Sequence, residues 1–305
     1  MTRALVLSGG GSVGIAWQTG LAAGLARRGV ELAAADFIVG TSAGSAVGAQ
    51  LALGTDLEER LARYRQPSTG TSAAARTAAA GSAAAQSSSD RMARLMAVMA
   101  EGAAHEDEVA GRAAVGRFAL GADALPEEQF VAGFGYLRTD AWPERYACTA
   151  VDAETGEFVV WDVKSRVPLE RAVASSCAVP GIFAPITIDG RRYIDGGMRS
   201  ATNADLAKGH ELVVLVSLMS PARMAAASND PRAARFLARM ESELVVLTES
   251  GARVETIVPD DQAAATIGLN LMDAAQAPAA AAEGVRQGEA MADQLAACGW
   301  QSRAA

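Results

Sequence analysis

Three short stretches of the chain carry residue types that could together perform covalent chemistry. In Gly40-Thr41-Ser42-Ala43-Gly44 a serine is bracketed by two glycines. The apolar run Phe37-Ile38-Val39 precedes it and an Ala-rich run follows, so G-x-S-x-G falls between a strand and a helix. In that setting the serine hydroxyl stands out from a sharp turn as a nucleophile. Gly40 and Gly44 lack a Cβ, which lets strand and helix close together beneath it. In Ser8-Gly9-Gly10-Gly11-Ser12-Val13-Gly14 a glycine-rich turn opens a second helix. The first N–H groups of a helix have no partner within it, so Gly9 to Gly14 offer an anion site. In Tyr193-Ile194-Asp195-Gly196-Gly197 an aspartate leaves a short strand into two glycines. The serine and the donor loop could serve as nucleophile and oxyanion hole in acyl transfer; an Asp at a strand end beside two glycines is poised for close approach to something, or is an ordinary turn residue.

The elements that must position these residues follow from patterning. Ala4 to Leu7 read as a buried strand, and Ile15, Trp17, Leu21 and Leu25 recur at helical spacing after the glycines. Residues 45–66 look helical, first Ala-rich and then charged. Residues 67–89 are almost wholly Ala, Ser, Thr and Gly, a connector or a lid over the serine. Helices are predicted over 91–104, 109–120 and 127–137. Met92, Leu95, Met96 and Met99 line one face of the first and read as core packing. Strands over 145–151 and 157–163 read as a hairpin, a short helix follows over 169–175, and Asp189-Gly190 signals a second tight hairpin. Residues 211–218 form a clear buried strand, 253–258 another, and the stretch from Pro278 a terminal helix.

Gly9, Gly11 and Gly14 also satisfy G-x-G-x-x-G, so a nucleotide-binding protein is a rival. A dinucleotide fold needs an acidic residue at the end of the second strand. Here that strand ends in Gly40, and Glu31 lies before it, so the oxyanion reading is preferred. His210 could complete a Ser–Asp–His triad in the order Ser42, Asp195, His210. It precedes its strand, however, whereas Ser42 follows its own; in a parallel sheet these are opposite edges. His105 lies among acidic residues and reads as solvated.

The formal net charge is −8, which argues against nucleic acid as a partner. Cys148, Cys177 and Cys298 are too widely spaced for a disulfide framework or a metal motif, so neither a metal nor a cofactor is expected. Without a signal peptide or a spanning apolar run, a cytoplasmic location is expected.

The three motifs, with Ala178-Val179-Pro180-Gly181-Ile182-Phe183, resemble the patatin-like phospholipase family over residues 1–220. The resemblance implies an α/β fold, a three-layer α/β/α sandwich with a mostly parallel central sheet. It implies a catalytic core over 1–220 with a helical, low-complexity insertion at about 55–137, and a mostly helical part, 221–305, packed on the same domain. It implies a serine–aspartate dyad that hydrolyses lipid acyl esters, with Ser42 as nucleophile, Asp195 as base, Gly196 and Gly197 in the dyad loop, and Gly9 to Gly14 as oxyanion hole. The partner would be a lipid or ester, met through transient contact with a membrane surface or micelle. The same dyad would serve an acyltransferase or thioesterase. Val13 stands where that family usually carries a basic residue, which favours neutral esters or thioesters and is the one mark of a silent binding protein.

Overall fold

The computed structural model describes residues 1–65, 94, 97–99, 101–102, 105, 107–218 and 231–300. The 67–89 connector lies outside the described residues, as does the methionine stripe except for Met99, which is half-buried against a small cluster.

The chain begins β1 (Arg3–Leu7), α1 (Gly11–Arg27), β2 (Phe37–Gly40), α2 (Ala43–Ala52) and α3 (Leu57–Arg65). It continues α4 (Glu108–Gly121), α5 (Glu127–Val131), β3 (Tyr146–Asp152), β4 (Phe158–Trp161) and α6 (Leu169–Ser176). It ends β5 (Ile186–Ile188), β6 (Arg191–Asp195), β7 (Leu212–Val216), α7 (Pro231–Glu249), β8 (Arg253–Ile257), α8 (Asp261–Ile267) and α9 (Ala277–Ala297). The helical stretch expected over 45–66 is built, among the described residues, as two helices. Gly54, at φ 69°, ends the first, and the Asp56 side chain accepts the N–H groups of Glu58 and Glu59 to start the second. Residues 127–137 are likewise divided, a short α-helix running into a 3-10 turn over Ala132–Leu137.

Strands β3, β2, β1, β7 and β8 run parallel in that order, while β4, β5 and β6 pair antiparallel. Alternation sorts the side chains into layers. Leu5, Leu7, Ile38, Val214 and Val216 face a core shared with α1, α2, α6 and α9. Ala4, Val6, Val39, Val213 and Leu215 face the other way, onto Leu247 of α7. The result is a three-layer α/β/α sandwich.

Two features position the chemistry. First, β3 carries three partners. β4 lies along one edge opposite Cys148 to Val151, so β2 and β6 must share the other. β2 ends with Gly40 opposite Cys148, and β6, running the other way, ends with Asp195 opposite Ala150. The two strands abut end to end with Thr149 between them. Second, α1 and α9 touch through backbone. A Cβ on Gly20 or Gly24 would collide with the carbonyl of Ala281 or Val285, and one on Gly284 or Gly288 with that of Trp17 or Leu21. Among the described residues no helix is long and apolar enough to cross a membrane.

Candidate active site

Ser42 lies between β2 and α2 with φ 52° and ψ −121°, a backbone that a residue with a Cβ rarely adopts. The turn is closed by the absence of side chains at its base: a Cβ on Gly40 would strike the Gly44 carbonyl, and one on Gly44 the Leu7 carbonyl. Three side chains hold the strained residue. The Ser42 N–H donates to Ser176 Oγ at 3.0 Å, while its carbonyl accepts from Ser45 Oγ at 2.6 Å and from Cys177 Sγ at 3.1 Å. Burial pushes the Cys177 thiol above its ordinary range, so it stays protonated and can donate.

Asp195 ends β6 and is 3% exposed; Ser42 is 8% exposed. The Asp195 Oδ1 accepts the Gly197 N–H at 2.7 Å. Burial raises the carboxyl from 3.8 to about 7, against the influence of the Ser42 side chain and the Gly197 N–H, which hold it down. A carboxylate with that affinity for a proton suits general-base work near neutrality.

Leu7 of β1 is in register with Gly40, so the glycine loop and the serine turn leave the sheet side by side. A Cβ on Gly9 would stand 3.5 Å from Ser42 Cβ. The loop's N–H groups have separate destinations. Gly9 donates to the Ala201 carbonyl at 2.9 Å, Val13 to that of Leu271 at 3.1 Å, and Gly14 to that of Gly10 at 2.7 Å. Those of Gly10, Gly11 and Ser12 have no backbone partner among the described residues, and the buried Ser12 hydroxyl has none either. The Val13 side chain is fully buried in the core, so the position that could have carried a cation is a packing position here.

His210 stacks on Phe37 with ring centroids 5.6 Å apart, and its Nδ1 lies 3.0 Å from the Ala207 carbonyl. Phe37 begins β2 and Ser42 follows its end, which puts the imidazole roughly 15 Å from the serine across the sheet. No group of His, Cys, Asp or Glu among the described residues could hold a metal ion. Sequence reasoning missed Ser176, Ser45 and Cys177. Ser176 and Cys177 were visible only as the end of a helix 134 residues away from Ser42, and nothing local marks them.

The description "Patatin-like phospholipase" matches residues 5–208. Over 64 residues the chain is 36% identical to uncharacterised NTE family proteins of Mycobacterium bovis and Mycobacterium tuberculosis, covering 21% of this chain and only 17% of theirs. VipD from Legionella pneumophila is similar at 16% identity with a TM-score of 0.42, covering 96% of this chain and 67% of that one. The type III effector protein ExoU is similar at 15% identity with a TM-score of 0.38, covering 96% of this chain and 53% of that one. With the family's pattern running from the first strand through β6 and the loop after it, over the elements that carry Ser42 and Asp195, this chain belongs to the patatin-like phospholipase family.

Proposed function

We propose that the protein is a serine–aspartate acyl hydrolase that cleaves acyl esters of lipids through an acyl-enzyme. The observation that carries this reading is that the strained Ser42 turn and a buried Asp195, its carboxyl raised to about 7, leave the facing ends of β2 and β6 on one edge of β3. Ser42 Oγ attacks the ester carbonyl as Asp195 takes its proton. The tetrahedral oxyanion is met by the N–H groups of Gly10, Gly11 and Ser12, the loop donors without a backbone partner. Collapse breaks the bond to the leaving alkoxide, which receives the proton from Asp195. Water then repeats the sequence on the acyl-enzyme, with Asp195 as base, and releases a fatty acid. An ester is favoured over an amide because an alkoxide leaves more readily than an amine anion and no imidazole is placed to protonate a leaving amine.

The donors in this oxyanion site are backbone groups, and Val13 brings no cation to it. That supports neutral esters as well as phospholipids. The test is fatty-acid release from mixed phospholipid and neutral-ester micelles by wild type and Ser42→Ala. Release by wild type alone is expected. Equal release by both proteins would sink the reading.

A further inference from the structure

The point where β2 and β6 abut presents a packing problem that one side chain solves. Two strands ending against each other leave polar groups at the junction with no ladder partner. Around the junction lie the hydroxyls of Thr41 and Thr149, 2.9 Å apart, the Ser200 carbonyl, and the Gly196 carbonyl, which also accepts the Arg199 N–H at 3.1 Å. Asn203 reaches all four. Its Nδ2 lies 2.7 Å from the Ser200 carbonyl, 3.0 Å from Thr41 Oγ1, 3.4 Å from Thr149 Oγ1 and 3.4 Å from the Gly196 carbonyl. Asn203, Thr41 and Thr149 are all fully buried. Asn203 adopts a left-handed backbone, φ 48° and ψ 39°, which asparagine tolerates better than most residues.

The orientation of the amide is determined by its other end. Arg199 Nη1 donates to Asn203 Oδ1 at 2.8 Å. The same guanidinium grips both carboxylate oxygens of Asp205, at 2.9 and 2.6 Å. A guanidinium has no acceptor, so the amide oxygen must face Arg199 and the nitrogen must face the junction. Thr41 immediately precedes Ser42, and Gly196 immediately follows Asp195. A Cβ on Gly196 would collide with Thr149 Oγ1, so the dyad loop has no slack on that side.

We infer that Asn203, clamped by Arg199 and Asp205, is a positioning residue that ties the serine turn to the aspartate loop through Thr41, Thr149 and Gly196 and so sets the separation of nucleophile and base. The inference rests on the Ser42–Asp195 reading above. Asn203 touches neither reacting group; it acts through the residues next to each.

The test uses the full chain with Asn203→Ala, Thr149→Val and Thr149→Ser, a soluble p-nitrophenyl ester, and a fluorophosphonate that labels the nucleophile. Small misplacement of reacting groups is costly, so Asn203→Ala and Thr149→Val are expected to lose roughly 10- to 100-fold in kcat with little change in KM. Thr149→Ser, which keeps the hydroxyl, is expected to restore it. The nearby Ser42 side chain holds the Asp195 carboxyl down, so loosening the pair should move the pH limb of labelling upward in the two impaired variants. A purely structural role would lower the melting temperature and leave kcat per labelled site and the pH limb where they were. That result in folded Asn203→Ala overturns the inference. If Asn203→Ala does not fold, the Thr149 pair decides: unequal kcat in Val and Ser upholds it, equal kcat overturns it. Ser42→Ala runs alongside. Turnover retained there would overturn the dyad itself, whereas inactive Ser42→Ala beside normal Asn203 and Thr149 variants would overturn this inference alone.

Discussion

Gly40, the last residue of β2, and Asp195, the last residue of β6, pair with Cys148 and Ala150 on the same edge of β3. The strands run towards each other and stop one residue apart. Each hands its chain to a loop at that gap, Thr41-Ser42 from one side and Gly196-Gly197 from the other. Residues 153 positions apart in sequence thereby meet without a histidine between them.

The first consequence concerns pH. Only the ionised form of Asp195 can accept the Ser42 proton, and burial raises its carboxyl to about 7. The kcat/KM for a soluble ester should therefore fall about tenfold per pH unit below that value and level off above it. A steady-state series on one ester across this range checks it. A profile already flat from pH 5 upward would contradict the assignment of Asp195 as base.

The same burial costs stability. The folded value lies above the ordinary 3.8, so the native state holds the proton more tightly than the unfolded chain. The associated stabilisation is complete below about pH 4 and is lost as the pH rises through about 7. Above that, wild type bears the cost of a buried carboxylate that Asp195→Asn does not. The variant should lose nearly all acyl-enzyme formation yet be about 2–4 kcal/mol more stable at pH 8, with the advantage shrinking towards pH 4. Urea denaturation at the two pH values measures it.

Ser176→Ala removes the acceptor for the N–H of a residue held at φ 52°. Leaving that buried donor unpaired should cost about 1–3 kcal/mol. Because the strain is then unsupported, fluorophosphonate labelling of Ser42 should slow as well. A stability loss with an unchanged labelling rate would show that Ser45 and Cys177 hold the turn without it.

Gly24→Val should be among the most damaging substitutions far from the site. Its side chain would enter the backbone of α9 at Val285, where no flexible group can yield. A loss of about 3 kcal/mol is expected. Gly121→Ala, where a Cβ meets nothing within 4 Å, is the control and should leave the melting temperature nearly unchanged.

His210→Ala should keep wild-type kcat, because the ring packs on Phe37 at the opposite edge of the sheet. Inactivity in a folded variant would reopen the triad.

Much of this was legible in the sequence because its signals are local. Strand, glycine turn and helix recur at Leu7-Ser8-Gly9 and at Gly40-Thr41-Ser42, and each reports a backbone geometry within a few residues. Asp189-Gly190 likewise specifies a two-residue hairpin, and both residues take positive φ, 51° and 77°. The family pattern over residues 5–208 adds the fold. Local signals fail where the answer depends on what is across the gap. The break at Gly54 lies inside a helical composition, and nothing local to the glycines of α1 and α9 shows that the two helices touch through them.

Hydrophobic period and backbone freedom are properties of short segments, so the individual strands and helices, the turns that carry Ser42 and Asp195, and the glycine loop could be read from the chain, while the α/β class came with the family resemblance. Only the tertiary structure decided which loop N–H groups remain available, since Ala201 and Leu271 use up those of Gly9 and Val13. It alone turned Val13 inward and brought Ser176 to Ser42 and Asn203 to Thr41. Hydrogen-bond partners and burial are set by long-range packing, and no residue's neighbours in the chain reveal them.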